Sequence, residues 1–307
     1  MTATFGLGLA ALGRPGYMTV GHRDDLPDAT EPGMRRAAFQ TFDEAWRLGV
    51  RHFDAARSYG LAESFLATWI EARGHRDAVV SSKWGYRYTA NWQRVADVHE
   101  VKDHSFTHLE SQLAESRALL GSSLHVYQLH SLTPDSPALD DARVLDRLEQ
   151  LRDEGLAMGV SVSGPRQAEL IEQVASVRRN GTPLFGWVQA TWNLLERSAG
   201  PALSAAHDAG LHVIIKEALA NGRLSPRGDL QPLLTEAVRR GTTADALSLA
   251  IAAAQPFADV VLSGAATPAH LRQNLSAREL TVGPDELAGM SLTAETYWRE
   301  RTGLKWT

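Results

Sequence analysis

Residues 51 to 63 read Arg51-His52-Phe53-Asp54-Ala55-Ala56-Arg57-Ser58-Tyr59-Gly60-Leu61-Ala62-Glu63. Arg51 to Asp54 has the make-up of a strand end, and Phe65 to Ile70 that of the next helix. Asp54 and Tyr59 therefore fall on a strand-to-helix turn, where α/β folds carry their chemistry. The following apolar run, Val79-Val80-Ser81-Ser82-Lys83, ends in a lysine, and the one after it, His125 to His130, ends in a histidine. Three successive strands thus end in ionisable side chains at one rim. Taken singly, each has an ordinary explanation: Asp54 caps a helix, Lys83 is a solvated strand end, His130 is a core histidine bonded to backbone. Their coincidence at corresponding places points to a site.

Outward from this stretch the same alternation repeats. Phe5 to Leu12 reads as a first strand, with Gly6, Gly8 and Gly13 allowing close approach of a ligand or another backbone. Arg14 to Gly33 reads as a loop and Met34 to Leu48 as a helix stopped by Gly49. Further strands are expected at Met158 to Ser163, Trp187 to Asn193, Leu211 to Ala218 and Ala258 to Gly264, each separated from the next by helical spacing. Eight strand–helix units predict a parallel sheet closed as a single-domain (β/α)8 TIM barrel over residues 1–307. A doubly wound sheet is the alternative, but no G-x-G-x-x-G turn follows the first strand. Residues 284–307 read as an amphipathic tail packing near the active-site rim. The stretch from Trp84 to His104 reads as a long loop whose Trp84, Tyr86, Tyr88 and Trp92 suit a substrate-pocket wall.

Composition narrows the function. The net charge is −5 with no basic run, which speaks against a nucleic-acid partner. No apolar run approaches a membrane span, and no basic n-region precedes an apolar stretch at the N-terminus. The chain has no cysteine, which rules out disulfides, thiolate metal sites and cysteine nucleophiles and agrees with a cytoplasmic enzyme. No histidine–carboxylate spacing suggests a metal site.

Asp54, Tyr59, Lys83 and His130 together allow acid–base work at a carbonyl. A lysine ammonium beside a tyrosine lowers the phenol's pKa from about 10. An aspartate holds the lysine, and a histidine orients the carbonyl oxygen as it gains charge. A barrel reusing Tyr59 and Lys83 for an isomerase or lyase step, and a non-catalytic nicotinamide-binding regulatory barrel, remain the other readings.

At these residues the chain resembles the aldo-keto reductase family. The matching motifs are FDAARSYGLAE at 53–63, SSKWG at 81–85, VYQLH at 126–130, GVS at 159–161, VQATWN at 188–193, ALANGRL at 218–224 and GAATPAHLRQN at 264–274. The resemblance implies hydride transfer between a nicotinamide cofactor, NADP(H) by family habit with NAD(H) as the other choice, and a small-molecule carbonyl or alcohol. It implies a catalytic tetrad of Asp54, Tyr59, Lys83 and His130. Cofactor contacts would come from Ser161, Gln189, Lys216, Leu219, Asn221, Gly222, Gly264, His270 and Asn274. Substrate contacts are expected from Trp84, Tyr86, Trp92 and Trp192.

Five positions depart from the family pattern. Val162 stands where the family has asparagine, removing an amide contact. Lys216 stands where an aromatic stacks on the nicotinamide, which leaves Trp192 on the neighbouring strand as the nearest flat face. Gly264, Ala266 and His270 occupy places where NADP(H)-preferring members carry cations, and Arg272 is the one cation nearby.

Overall fold

A computed structural model describes residues 3–306; Met1, Thr2 and Thr307, at the ends of the expected domain, lie outside the described residues. Eight strands form a closed barrel: β1 (Thr4–Gly8), β2 (His52–Asp54), β3 (Val79–Trp84), β4 (Leu124–Leu132), β5 (Ala157–Val162), β6 (Trp187–Thr191), β7 (His212–Lys216) and β8 (Val260–Ser263). Each pairs in parallel with its sequence neighbours, and β8 returns to β1. Seven helices stand in the crossovers, α1 (Glu31–Arg47), α2 (Ala62–Arg73), α3 (Phe106–Leu120), α4 (Ala142–Asp153), α5 (Gln167–Ser176), α6 (Gly200–Asp208) and α7 (Ala244–Ala253), the last preceded by a helix at Gln231–Arg239, and α8 (Pro268–Leu275) follows β8. The single-domain (β/α)8 barrel expected from the alternation is the fold observed.

Side chains alternate across each strand, so successive residues point into the barrel or out to the helices. Outward residues build the main core. Phe53 on β2 meets Phe42 of α1 at 6.0 Å and Trp69 of α2 at 5.4 Å between ring centroids. That cluster fixes the strand that carries Asp54. Inward residues are apolar at the base, where Ile214, Val260 and Leu262 pack with Trp187. Towards the C-terminal ends they turn polar, with Asp54, Ser81, Lys83, Gln128, Ser161 and Gln189 all buried.

Several boundaries differ from the sequence reading. β1 stops at Gly8, because Leu9 to Gly13 closes into a turn in which the amides of Leu12 and Gly13 donate to the Leu9 carbonyl. Gly13 is needed there: a Cβ would lie 2.1 Å from the Tyr59 carbonyl oxygen. Gly60, at φ +61°, presses back on the Gly13 carbonyl, to which the Leu61 amide donates at 2.8 Å. The Tyr59 turn is thus clamped against the segment after β1. The expected loop at 84–104 contains an antiparallel hairpin, Tyr86–Tyr88 with Glu100–Lys102. The expected loop at 14–33 holds a helical turn at His22–Asp25, and α1 begins at Glu31 with Thr30 as its cap. The tail carries a helix at Ala294–Thr302. Among the described residues no helix is long and apolar enough to cross a membrane.

Candidate active site

The C-terminal ends of the strands open into a cavity of about 360 Å³ lined by Asp54, Tyr59, His130, Gln189 and Lys216, and extending to Gly264, His270 and Asn274 on the β8–α8 segment. At its floor the Lys83 ammonium donates to Asp54 Oδ2 at 2.5 Å and to the Ala55 carbonyl at 2.9 Å. Both charged side chains are buried. The other Asp54 oxygen accepts from Ser81 Oγ at 2.7 Å, Gln189 Nε2 at 3.0 Å and Gln128 Nε2 at 3.3 Å. A buried carboxylate with donors on both oxygens is compensated for its lost hydration, which is what makes the buried pair tolerable.

Above this floor the Tyr59 ring lies 4.9 Å from Lys83 Nζ, and its hydroxyl faces His130 Nε2 at 3.4 Å. His130 Nδ1 faces Ser58 Oγ at 3.5 Å, and its backbone carbonyl meets His104 Nε2 at 2.9 Å. These side-chain contacts are at the long end of hydrogen bonding. Burial pushes the Tyr59 phenol well above its ordinary value; Asp54 adds to this and Arg14 opposes it. The sequence places a lowering by Lys83 on this phenol; in the folded chain burial dominates and the net direction is upward. Burial, with Lys83 and Lys216 nearby, holds the His130 imidazole well below its ordinary value, so the ring is neutral.

The four tetrad residues come together. Of the expected cofactor residues, Gln189, Lys216, Leu219, Asn221, Gly222, Gly264, His270 and Asn274 line the same cavity, and Ser161 reaches it through Lys216. The aromatic set divides. Tyr86 stands edge-on to His130 at 5.0 Å. Neither Tyr86 nor Trp84, Trp92 or Trp192 lines the cavity itself. Trp84 follows inward-facing Lys83, and Trp192 follows inward-facing Thr191, so the strand pleat turns both indoles outward into the core. Trp192 therefore offers no flat face to a nicotinamide. Trp92 is anchored outside, its Nε1 donating to the Ala29 carbonyl at 2.8 Å. The same alternation puts Val162 in the outer core, away from the cavity.

Lys216 points inward. Its ammonium donates to Ser161 Oγ at 3.1 Å and Ser163 Oγ at 2.9 Å, and burial pulls its pKa down to about 8 against the attraction of Glu217. Arg272 faces away, bonded to Glu44 at 3.0 Å.

Other wall residues carry no local sequence signal. Arg14 is buried, donating to Glu100 at 2.8 Å and to the Ser58 carbonyl at 3.0 Å, with its guanidinium 5.2 Å from the Tyr59 ring. Glu217, at φ +53°, pairs with Arg301 from the tail helix through both carboxylate oxygens. A non-glycine residue in the left-handed region at a cavity edge marks backbone held in place by its surroundings. Trp306 also lines the cavity, stacked on His99 at 4.1 Å and over Arg14 at 4.7 Å. Among the described residues no group of three or more histidine, cysteine or carboxylate side chains could hold a metal ion.

The cavity wall offers a ligand both a free donor and a free acceptor. Lys216 retains a donor beyond its two serine bonds, and Asn221 Oδ1 is buried without a hydrogen-bond partner.

Comparison with known proteins bears on which barrel this is. No curated protein matches the chain. Solved structures with the same fold include the aldo-keto reductase AKR11C1 from Bacillus halodurans in its holo form, at 22% identity and a TM-score of 0.68 over 98% of this chain and 92% of that one. Two Pseudomonas aeruginosa proteins provisionally described as aldo-keto reductases also match. PA4992 has 21% identity and a TM-score of 0.64 over 91% of this chain and 92% of its own; the other has 23% and 0.63 over 91% of each. These likenesses carry the fold. The model of the Aldo/keto reductase family matches residues 16–291, a span from the segment after β1 through the tetrad positions to the C-terminal tail. On that match the chain belongs to the aldo/keto reductase family and is, by that membership, an oxidoreductase.

Proposed function

We propose that the chain transfers a hydride between a nicotinamide dinucleotide and a small carbonyl or alcohol, with Tyr59 as proton donor in reduction and acceptor in oxidation. The observation that carries this is the Tyr59 hydroxyl facing His130 Nε2 at 3.4 Å above a buried Lys83–Asp54 pair. The dinucleotide supplies the hydride; Gln189, Lys216, Asn221 and Asn274 are the residues suited to hold it.

The chain's own groups account for the proton. A phenol whose pKa is raised by burial is fully protonated at neutral pH and ready to donate. As it donates, the tyrosinate is stabilised by Lys83 below the ring and Arg14 beside it. Neutral His130 presents one donor and one acceptor nitrogen, so it can hold the carbonyl oxygen in line with Tyr59 while the oxygen gains charge. Trp306, over Arg14, gives the substrate end a flat wall, and Tyr86 packs edge-on behind His130.

The test is Tyr59→Phe. Positioned acid–base groups contribute on the order of 10²–10⁴-fold. Aldehyde turnover should fall at least about 100-fold while dinucleotide affinity stays within about twofold. Unchanged turnover would remove Tyr59 from the mechanism, and product formed without dinucleotide would favour an isomerase or lyase.

A further inference from the structure

The cavity runs from Tyr59 and His130 to the first turns of α8. If the reacting ring of a dinucleotide lies against Tyr59 and His130, its other end lies at α8; the inference rests on the hydride-transfer reading in this respect. At that end the charged groups are few. Arg227, from the loop after β7, donates to both carboxylate oxygens of Asp25, at 2.9 and 2.5 Å. The Arg227 Nη1 also reaches the Val20 carbonyl at 3.3 Å. His270 Nδ1 lies 3.5 Å from the same Asp25 carboxylate. Asp245 of α7 is buried and accepts from Gln273 Nε2 through both oxygens, at 3.0 and 2.9 Å. All of these residues line the cavity.

One guanidinium thus stands against two carboxylates, and its fork is already filled. A 2′-phosphate is a dianion that requires an available cation, best in bidentate geometry. To bind here it would have to draw Arg227 from Asp25, leaving the Asp25 carboxylate beside a phosphate at close range and low dielectric. A ribose diol makes the opposite demand: its hydroxyls donate, and carboxylates accept. We infer that this end of the cavity reads an unphosphorylated adenosine ribose, so that the chain takes NAD(H) in preference to NADP(H), with Asp25 as the discriminating residue because it sequesters Arg227.

The experiment is equilibrium titration of the full chain with NADH and with NADPH, followed by dinucleotide fluorescence. The wild type should bind NADH at least tenfold more tightly. Asp25→Ser frees Arg227 and removes a carboxylate acceptor, so it should strengthen NADPH at least tenfold and should not strengthen NADH. Adding Arg227→Gln to Asp25→Ser should abolish that gain. Equal or tighter binding of NADPH by the wild type would overturn the inference, and so would an Asp25→Ser effect equal for both dinucleotides. Binding of neither would overturn the hydride-transfer reading beneath it. The wild-type ratio is decisive even where a variant fails to fold.

Discussion

Lys216→Met isolates the energetic consequence of an ammonium placed where the cavity offers it hydroxyls alone. Lys216 Nζ bonds Ser161 and Ser163, and among the described residues no carboxylate lies within ion-pair distance of it. Burial lowers its pKa from 10.5 to about 8. The unfolded chain keeps the proton up to its ordinary value, whereas the folded chain releases it near 8. Between these pH values the unfolded state binds more protons, so stability rises with pH; below 8 the full penalty of burying the charge is present. At about 1.36 kcal/mol per pKa unit the span corresponds to about 3 kcal/mol. The side chain is only partly buried by surface area, so solvent screening reduces this to about 1–2 kcal/mol. Lost hydrogen bonds to the two serines offset about half of that, since cavity water can replace the ammonium. Methionine keeps the length without the charge. Urea unfolding followed by tryptophan fluorescence at pH 7, 8.5 and 10 should show the variant about 1 kcal/mol more stable at pH 7, with the difference vanishing as pH approaches 10.5. Destabilisation at pH 7, or a difference that does not change with pH, would refute the reasoning.

Other expectations follow from the same geometry. Asp54→Asn leaves the Lys83 ammonium buried without its carboxylate, so denaturant unfolding should show a loss of about 3 kcal/mol or more. Trp84→Phe and Trp192→Phe should each lower stability by about 1–3 kcal/mol, because both indoles are core residues. Steady-state kinetics on the same two variants should leave KM for the carbonyl within about twofold; a tenfold rise would restore them to the pocket.

How far the site could be read from the chain depended on whether its residues announce themselves locally. The barrel was legible because each strand and helix carries its own apolar period, and the tetrad because Asp54, Lys83 and His130 each end such a strand. The strand ends were also where the reading failed. Trp84 and Trp192 sit at the right height but on the wrong parity, and the pleat sends them outward while Lys83 and Thr191 point in. Lys216 was visible, but its inward direction follows from strand register: Thr191 pairs with Lys216, and Ser161 with Gln189, which brings Ser161 within reach of the ammonium. The remaining wall is made of long-range pairs with no local motif. Glu217 and Arg301 are 84 positions apart, Asp25 and Arg227 are 202 apart, and Arg14 and Glu100 are 86 apart. Only closure of the barrel brings their loops to one rim. The net direction of the Tyr59 shift was not legible either, because it is set first by burial and then by Asp54, and burial depends on the closed barrel.

The most direct measurement follows the hydride. An aldehyde reduced with a nicotinamide cofactor carrying deuterium at both positions of the reactive ring carbon should give an alcohol with one deuterium on its carbinol carbon, read by mass spectrometry, in step with cofactor oxidation. Product lacking the label, or turnover without cofactor oxidation, would contradict hydride transfer at the Tyr59–His130 site.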